Sequence, residues 1–224
     1  MAVAAGCGGG EPVPPPVRSP LAVAGAGTDG ASLPAERSLA GRGARLYARW
    51  CADCHGATAD GRGPAGRLLR PPPTGFLEGE YMRRQRPAWY YEALTRGVSG
   101  TAMGRWDHVL DAGDRWDVAF YVWSLVDDEE RLKRGRAVYQ AACSECHGPD
   151  GNAEPGAPLA VARQAGRTRL ELAELVLSAH PAGDVELGPG AVEDVVAYLF
   201  TWLYEPVGWA AVVEPSSPPR ERRR

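Results

Sequence analysis

The sequence predicts an all-α chain of two tandem domains, and three observations carry that reading. A fourteen-residue segment occurs twice: Gly43 to Gly56 reads Gly-Ala-Arg-Leu-Tyr-Ala-Arg-Trp-Cys-Ala-Asp-Cys-His-Gly, and Gly135 to Gly148 reads Gly-Arg-Ala-Val-Tyr-Gln-Ala-Ala-Cys-Ser-Glu-Cys-His-Gly. The offset is 92 at every matched position, His55 becoming His147. Each copy opens on apolar residues at helical spacing (Leu39, Leu46, Tyr47 and Trp50; Leu132, Val138 and Tyr139). Each closes on a second helical pattern, Trp116 to Leu125 and Val192 to Leu203, with Tyr121 and Tyr198 in matching places.

Four segments follow from composition and repeat. Residues 1–35 are rich in Pro, Gly, Ala and Ser, with Pro12, Pro14, Pro15 and Pro16 close together; they cannot bury enough apolar surface to fold and read as a disordered tether. Residues 36–126 form the first domain and 129–205 the second, with only Asp127 and Asp128 between them. A linker that short does not let the domains wander. Residues 206–224 form a solvated tail ending in Arg220, Glu221, Arg222, Arg223 and Arg224. Its aromatic approach, Trp202, Tyr204 and Trp209, reads either as core or as a docking segment.

Composition narrows the function. The 224 residues are 44 % hydrophobic and 24 % charged, an ordinary globular balance. A formal charge of -3 excludes a general nucleic-acid binder, which needs a basic face. The longest apolar stretches, near Val118 to Val126 and Val195 to Leu203, fall short of the roughly 20 residues of a membrane-spanning helix. Charge is unevenly shared: residues 36–126 hold 13 Arg and no Lys against 10 acids, and residues 129–205 hold 7 basic against 12 acidic residues. Such a dipole can steer two different partners, although chance surface variation produces the same counts.

Cys-x-x-Cys-His is the signature of covalent c-type haem attachment. Two thiols one turn apart can each add to a haem vinyl group while the neighbouring imidazole reaches the iron. Cys51, Cys54 and His55 would hold one haem, and Cys143, Cys146 and His147 a second. A four-thiolate zinc site is the alternative for paired Cys-x-x-Cys motifs, but here the pairs lie 89 residues apart, each inside its own repeat. A thioredoxin-like redox pair needs a βαβ context that the pattern lacks.

On these motifs, residues 36 to 205 resemble the class I cytochrome c family in its tandem two-haem form. The resemblance implies terminal helices that cross, a haem in an apolar crevice, and a distal Met from the loop before the last helix. Gly97 to Met103 followed by Trp106 is similar to that loop, which makes Met103 the expected distal ligand of the first haem. The family commonly has Pro after this Met, whereas this chain has Gly104. Met82, among Tyr81, Arg83 and Arg84, reads as a packing or surface residue, and His108 as a polar neighbour of Trp106 and a reserve ligand.

The second domain contains no methionine. Met103 precedes Tyr121 by 18 residues, and 18 residues before Tyr198 stands His180, followed by Pro181. His180 is therefore the expected distal ligand of the second haem. A five-coordinate iron and another ligand remain open.

The family resemblance implies a periplasmic or extracytoplasmic home. The start, Met1 to Cys7, lacks a charged region and a full apolar stretch, and so reads as a truncated or misassigned leader. Gly6-Cys7 before the tether resembles the end of a bacterial lipoprotein signal, with Cys7 as the lipidation candidate; an incidental cysteine is the alternative. The leading functional reading is electron transfer between a redox protein donor and acceptor, as a carrier or as a subunit of a membrane respiratory or photosynthetic complex. A haem enzyme of the peroxidase or sulfur-compound oxidase type, using an open second iron, is the alternative.

Thioether ligation favours ferrous iron over imidazole ligation, so the Met103 haem should have the higher potential and the His180 haem the lower. A redox titration of the wild type and single-site variants checks the order; equal or inverted potentials contradict it.

Overall fold

The computed structural model describes residues 38–149, 151, 159, 161–179, 187–188 and 190–205. Strand β1 (Ser38–Leu39) leads into α1 (Ala40–Trp50), which breaks at Cys51 into the single turn α2 (Ala52–His55). Helices α3 (Gly79–Arg83), α4 (Pro87–Arg96) and α5 (Ala112–Ser124) complete the first half. The second half repeats the plan: α6 (Glu129–Ala142), the single turn α7 (Ser144–His147), α8 (Arg169–Ser178) and α9 (Ala191–Phe200), then β2 (Tyr204–Glu205).

Local chemistry starts most of these helices. The Asp111 carboxylate accepts from the Asp114 N–H at the head of α5, and Asp128 accepts from Arg131 at the head of α6. Thr168 and Glu171 form a reciprocal capping box on α8, and Pro87 supplies the fixed φ suited to the first turn of α4. The closing helices are longer or shorter than periodicity alone predicts. Helix α5 begins at Ala112 because Asp111 caps it there, and α9 stops at Phe200 because the chain turns to reach β2.

The first and last helices of each half cross at a glycine. A Cβ on Gly43 would stand 2.0 Å from the Asp117 carbonyl oxygen and 2.8 Å from Tyr121 Cβ; one on Gly135 would stand 2.0 Å from the Asp194 carbonyl and 2.8 Å from Tyr198 Cβ. Backbone therefore meets backbone at both crossings. One turn along, Tyr47 packs on Tyr121 (ring centroids 5.3 Å) and Tyr139 on Tyr198 (5.7 Å).

The two halves share one continuous core, and their seam joins both ends of the described chain. The strands β1 and β2 pair in parallel, Ser38 beside Tyr204 and Leu39 beside Glu205. This two-residue clasp is the one departure from the all-α expectation among the described residues. It takes the C-terminal aromatics into the interior: Tyr204 is buried and stacks on Phe120 at 5.2 Å, and Trp202 packs edge-on against Tyr139 at 5.0 Å. Trp209 lies outside the described residues.

Charged groups complete the seam. Asp127 is fully buried and pairs with Arg169 at 2.6 Å, while Arg169 also lies over the rings of Trp123 and Phe200. Arg86, just before α4, reaches Glu171 on α8 at 2.7 Å. Burial works to raise the Glu171 carboxyl, but the Thr168 N–H and the Arg86 guanidinium outweigh it and hold the group below its ordinary value.

Gly43→Ala should destabilise the fold by about 3 kcal/mol or more, because the added methyl meets a main-chain carbonyl that cannot rotate away. Chemical denaturation measures it, with Gly41→Ala, which meets nothing, as the control. For Glu171 the folded carboxyl is the stronger acid, so its contribution is present above the ordinary value of 4.5 and is lost as the pH falls below it. Glu171→Gln should thus cost about 1 kcal/mol or less at pH 7, as expected for a half-exposed pair and cap, and the difference from wild type should vanish in acid melts.

Candidate functional site

The glycine crossing sets the end of α1 beside the apolar face of α5. There Cys51, Cys54 and His55 form one wall of an apolar cleft of about 1080 Å³, counted out to its open mouth. Val118, Ala119 and Val122 of α5 make its back, Tyr90, Ala93 and Leu94 of α4 one side, and Pro71, Pro72, Pro73 and Thr74 another. Met103 belongs to the same cleft.

Each motif side chain is held by identifiable neighbours. The Tyr47 hydroxyl donates to the Gly56 carbonyl at 2.9 Å, pinning the residue that ends α2 to the helix before it. The Thr74 carbonyl accepts from His55 Nδ1 at 3.0 Å, which makes Nδ1 the protonated nitrogen and leaves Nε2 with its lone pair. Phe76 stacks on the imidazole with ring centroids 5.0 Å apart. Burial lowers the His55 pKa, with the Thr74 bond opposing it, so the ring favours the neutral form that a metal ligand needs. Burial likewise pushes the Cys51 thiol up to about 12, aided by Cys54.

The loop after α4 folds back by main-chain bonds. Trp106 N–H donates to Leu94 at 2.8 Å, Val98 N–H to Met103 at 2.9 Å, and Met103 N–H to the Thr101 hydroxyl at 3.0 Å. Gly97 permits this turn: its φ of +75° is left-handed, and a Cβ there would meet the Met103 carbonyl at 2.7 Å. The loop thus sets Met103 half-buried over the cleft, with Trp106 packed against Trp50 at 6.1 Å. Met82 is elsewhere, fully buried, with the Tyr90 hydroxyl donating to its sulfur at 2.9 Å. His108 has a side chain 68 % exposed beside Asp107 and does not line the cleft, which removes it as a reserve ligand.

In the second half α7 carries Cys143, Cys146 and His147 in the same relation to its helix pair. The Tyr139 hydroxyl donates to the Gly148 carbonyl at 2.5 Å, matching Tyr47 and Gly56. Burial raises the Cys143 thiol, and Cys146 is exposed. His180 and Cys7 lie outside the described residues.

The four motif cysteines are free thiols in two separate halves. Among the described residues no three His, Cys, Asp or Glu side chains converge to hold a metal ion, which disposes of a shared four-thiolate zinc site. The first cleft fits a haem on its own features. It is apolar and open at one edge, with two thiols on the cleft wall for thioether bonds, an oriented neutral imidazole and a thioether from the distal loop. The residues that sequence reasoning missed are Thr74 and Phe76, which aim and pack His55. The run Pro71 to Pro73 was the available signal, since three residues without N–H groups can join neither helix nor ladder and leave a bare extended stretch.

A duplicated pair of crossing helices, each delivering Cys-x-x-Cys-His to an apolar crevice, defines a c-type cytochrome fold. The family model for cytochrome c oxidase, cbb3-type, subunit III matches residues 38–122 and 130–199, and the chain belongs to that family. Membership of a cytochrome c family implies covalently bound haem c. The Rhodobacter capsulatus cbb3-type cytochrome c oxidase subunit CcoP is 30 % identical over 135 residues, covering 52 % of this chain and 42 % of the relative. The cbb3-type cytochrome c oxidase subunit FixP of Sinorhizobium medicae is 28 % identical over 129 residues with the same coverage. The chain therefore spans less than half the length of the curated relatives it matches. A chain of the reducing HAO-like protein complex of Kuenenia stuttgartiensis aligns with 77 % of this chain and 99 % of its own length, at 17 % identity and a TM-score of 0.35, too loose a fit to bear on the fold. No helix among the described residues is long and apolar enough to cross a membrane.

Proposed function

We propose that this chain is a two-haem electron-transfer module that works as a cytochrome subunit of a membrane respiratory oxidase. The observation that carries this reading is the first cleft, where a Cys-x-x-Cys-His helix end with an oriented imidazole faces a loop-borne methionine. Haem bound there supplies a one-electron couple. Cys51 and Cys54 hold it covalently, His55 presents Nε2 to the iron because Thr74 fixes Nδ1, and Met103 offers its sulfur from the distal loop. Cys143, Cys146 and His147 do the same in the second half, with His180 as distal ligand.

The protein's part is to keep each site rigid and dry. Tyr47 and Phe76 lock the motif and its imidazole, while Val118, Val122 and Leu94 exclude water from the crevice. Low polarity around a haem tunes its potential, and a fixed ligand set limits reorganisation when the charge changes. The donor and acceptor are redox proteins. Their identity as parts of a cbb3-type oxidase is supported by the family and by relatives bearing that name. The location is extracytoplasmic, with Cys7 as the lipid attachment point.

Intact mass should give two covalent haems, and low-temperature electron paramagnetic resonance of the oxidised protein should give one His/Met and one bis-His low-spin signal. Met103→Ala should abolish the first and lower the potential of that haem, and His180→Ala should convert the second to a high-spin signal. A wild-type high-spin iron indifferent to His180→Ala contradicts the assignment at the second haem.

A further inference from the structure

The last helices of the two halves meet through residues at the same repeat position. Tyr121 corresponds to Tyr198, an offset of 77, so Trp123 corresponds to Phe200 and Val122 to Leu199. Val122 lines the first cleft. The next side chain, Trp123, points the other way and packs on Phe200 across the seam, with ring centroids 5.1 Å apart. Trp123 also makes an edge contact with Tyr90, another wall of the first cleft, at 6.4 Å. On the far side Phe200 is followed back along α9 by Leu199, which stands where Val122 stands in the first half.

Both rings are fully buried. The Arg169 guanidinium lies 4.6 Å from the Trp123 ring centroid and 5.5 Å from that of Phe200, donates to the Trp123 carbonyl at 3.3 Å, and is neutralised by Asp127. The indole N–H of Trp123 finds no acceptor among the described residues. A buried donor without a partner costs about 1–3 kcal/mol, so hydrogen bonding is not what this indole contributes. It contributes a large ring in van der Waals contact with the aromatic core of the other half.

We infer that the Trp123–Phe200 contact, clamped by Arg169, is the electron bridge between the two haem crevices. The inference deepens the two-haem reading and rests on it. The step moves one electron and no proton: the ferrous haem of one half is oxidised, the ferric haem of the other is reduced, and no bond forms or breaks. Trp123 and Phe200 are positioning residues that fill the space between the crevices with packed, polarisable atoms; a void there loses those contacts outright.

The test uses the holoprotein. Intact mass and spectroelectrochemical titration come first on every variant, giving the haem count and both potentials. One-electron photoreduction with a ruthenium photosensitiser then gives the rate of inter-haem equilibration. Trp123→Leu and Phe200→Leu should each slow equilibration by on the order of tenfold with two haems and both potentials retained, and Trp123→Phe, which keeps a ring, should restore most of the rate. A wild-type rate in either leucine variant, with haem count and potentials unchanged, overturns the bridge. So does an equally slow Trp123→Phe, including the case where Trp123→Leu yields no holoprotein. A wild-type mass with one haem or none overturns the two-haem reading instead.

Discussion

Two helices can cross with their main chains in contact only where one of them lacks a side chain, and this chain meets that condition twice, at Gly43 and Gly135. The crossing decides where the end of the first helix points. With α1 seated on the Asp117 carbonyl, the turn carrying Cys51, Cys54 and His55 is set against Val118, Ala119 and Val122 of α5, which become the back of the cleft. The tyrosine one turn beyond each glycine packs on the tyrosine of the closing helix, and its hydroxyl holds the carbonyl that ends the motif. A shift of the crossing would therefore displace the thiols, the imidazole and the apolar wall together.

The parts of this design that were legible in the sequence are those in which chemistry or packing demands a residue type at a fixed spacing. Covalent attachment needs two thiols and an imidazole in one short turn, and it left the same signature twice. The helix pairs showed in their apolar periodicity, and Met103 showed in its loop context. Thr74 did not show, because what it contributes is a main-chain carbonyl, which any residue possesses. The clasp of Ser38–Leu39 on Tyr204–Glu205 was equally silent: two residues give no alternation, and the partners come from opposite ends of the described chain. Arg169 reads in the sequence as one more charge at a helix start, and only the fold places it between two aromatic rings.

The duplication is not exact, and its asymmetry falls between the motif and the closing helix. The motifs are related by an offset of 92 and the closing helices by one of 77, so the second half is 15 residues shorter there. The first half spends that length on α3 and on the proline run that walls the cleft and aims His55. The closing helices themselves stay in register, which is why Trp123 and Phe200 meet like for like, as residues do across a two-fold interface between separate subunits.

Fusing two such units raises the question of what fixes their relative orientation, since aromatic contacts alone tolerate sliding. The buried charge at the seam does not. Asp127 has no exposure and Arg169 very little, and an isolated carboxylate or guanidinium in that environment would cost several kcal/mol, which the pair offsets only at short range and good geometry. Any orientation that parts them leaves two charges buried and uncompensated. The pair need add little to net stability to do this. It penalises the alternatives, so that the two-residue connection at Asp127 and Asp128, the parallel clasp and the stacked guanidinium select one arrangement of the crevices, and with it one distance for an electron to cross.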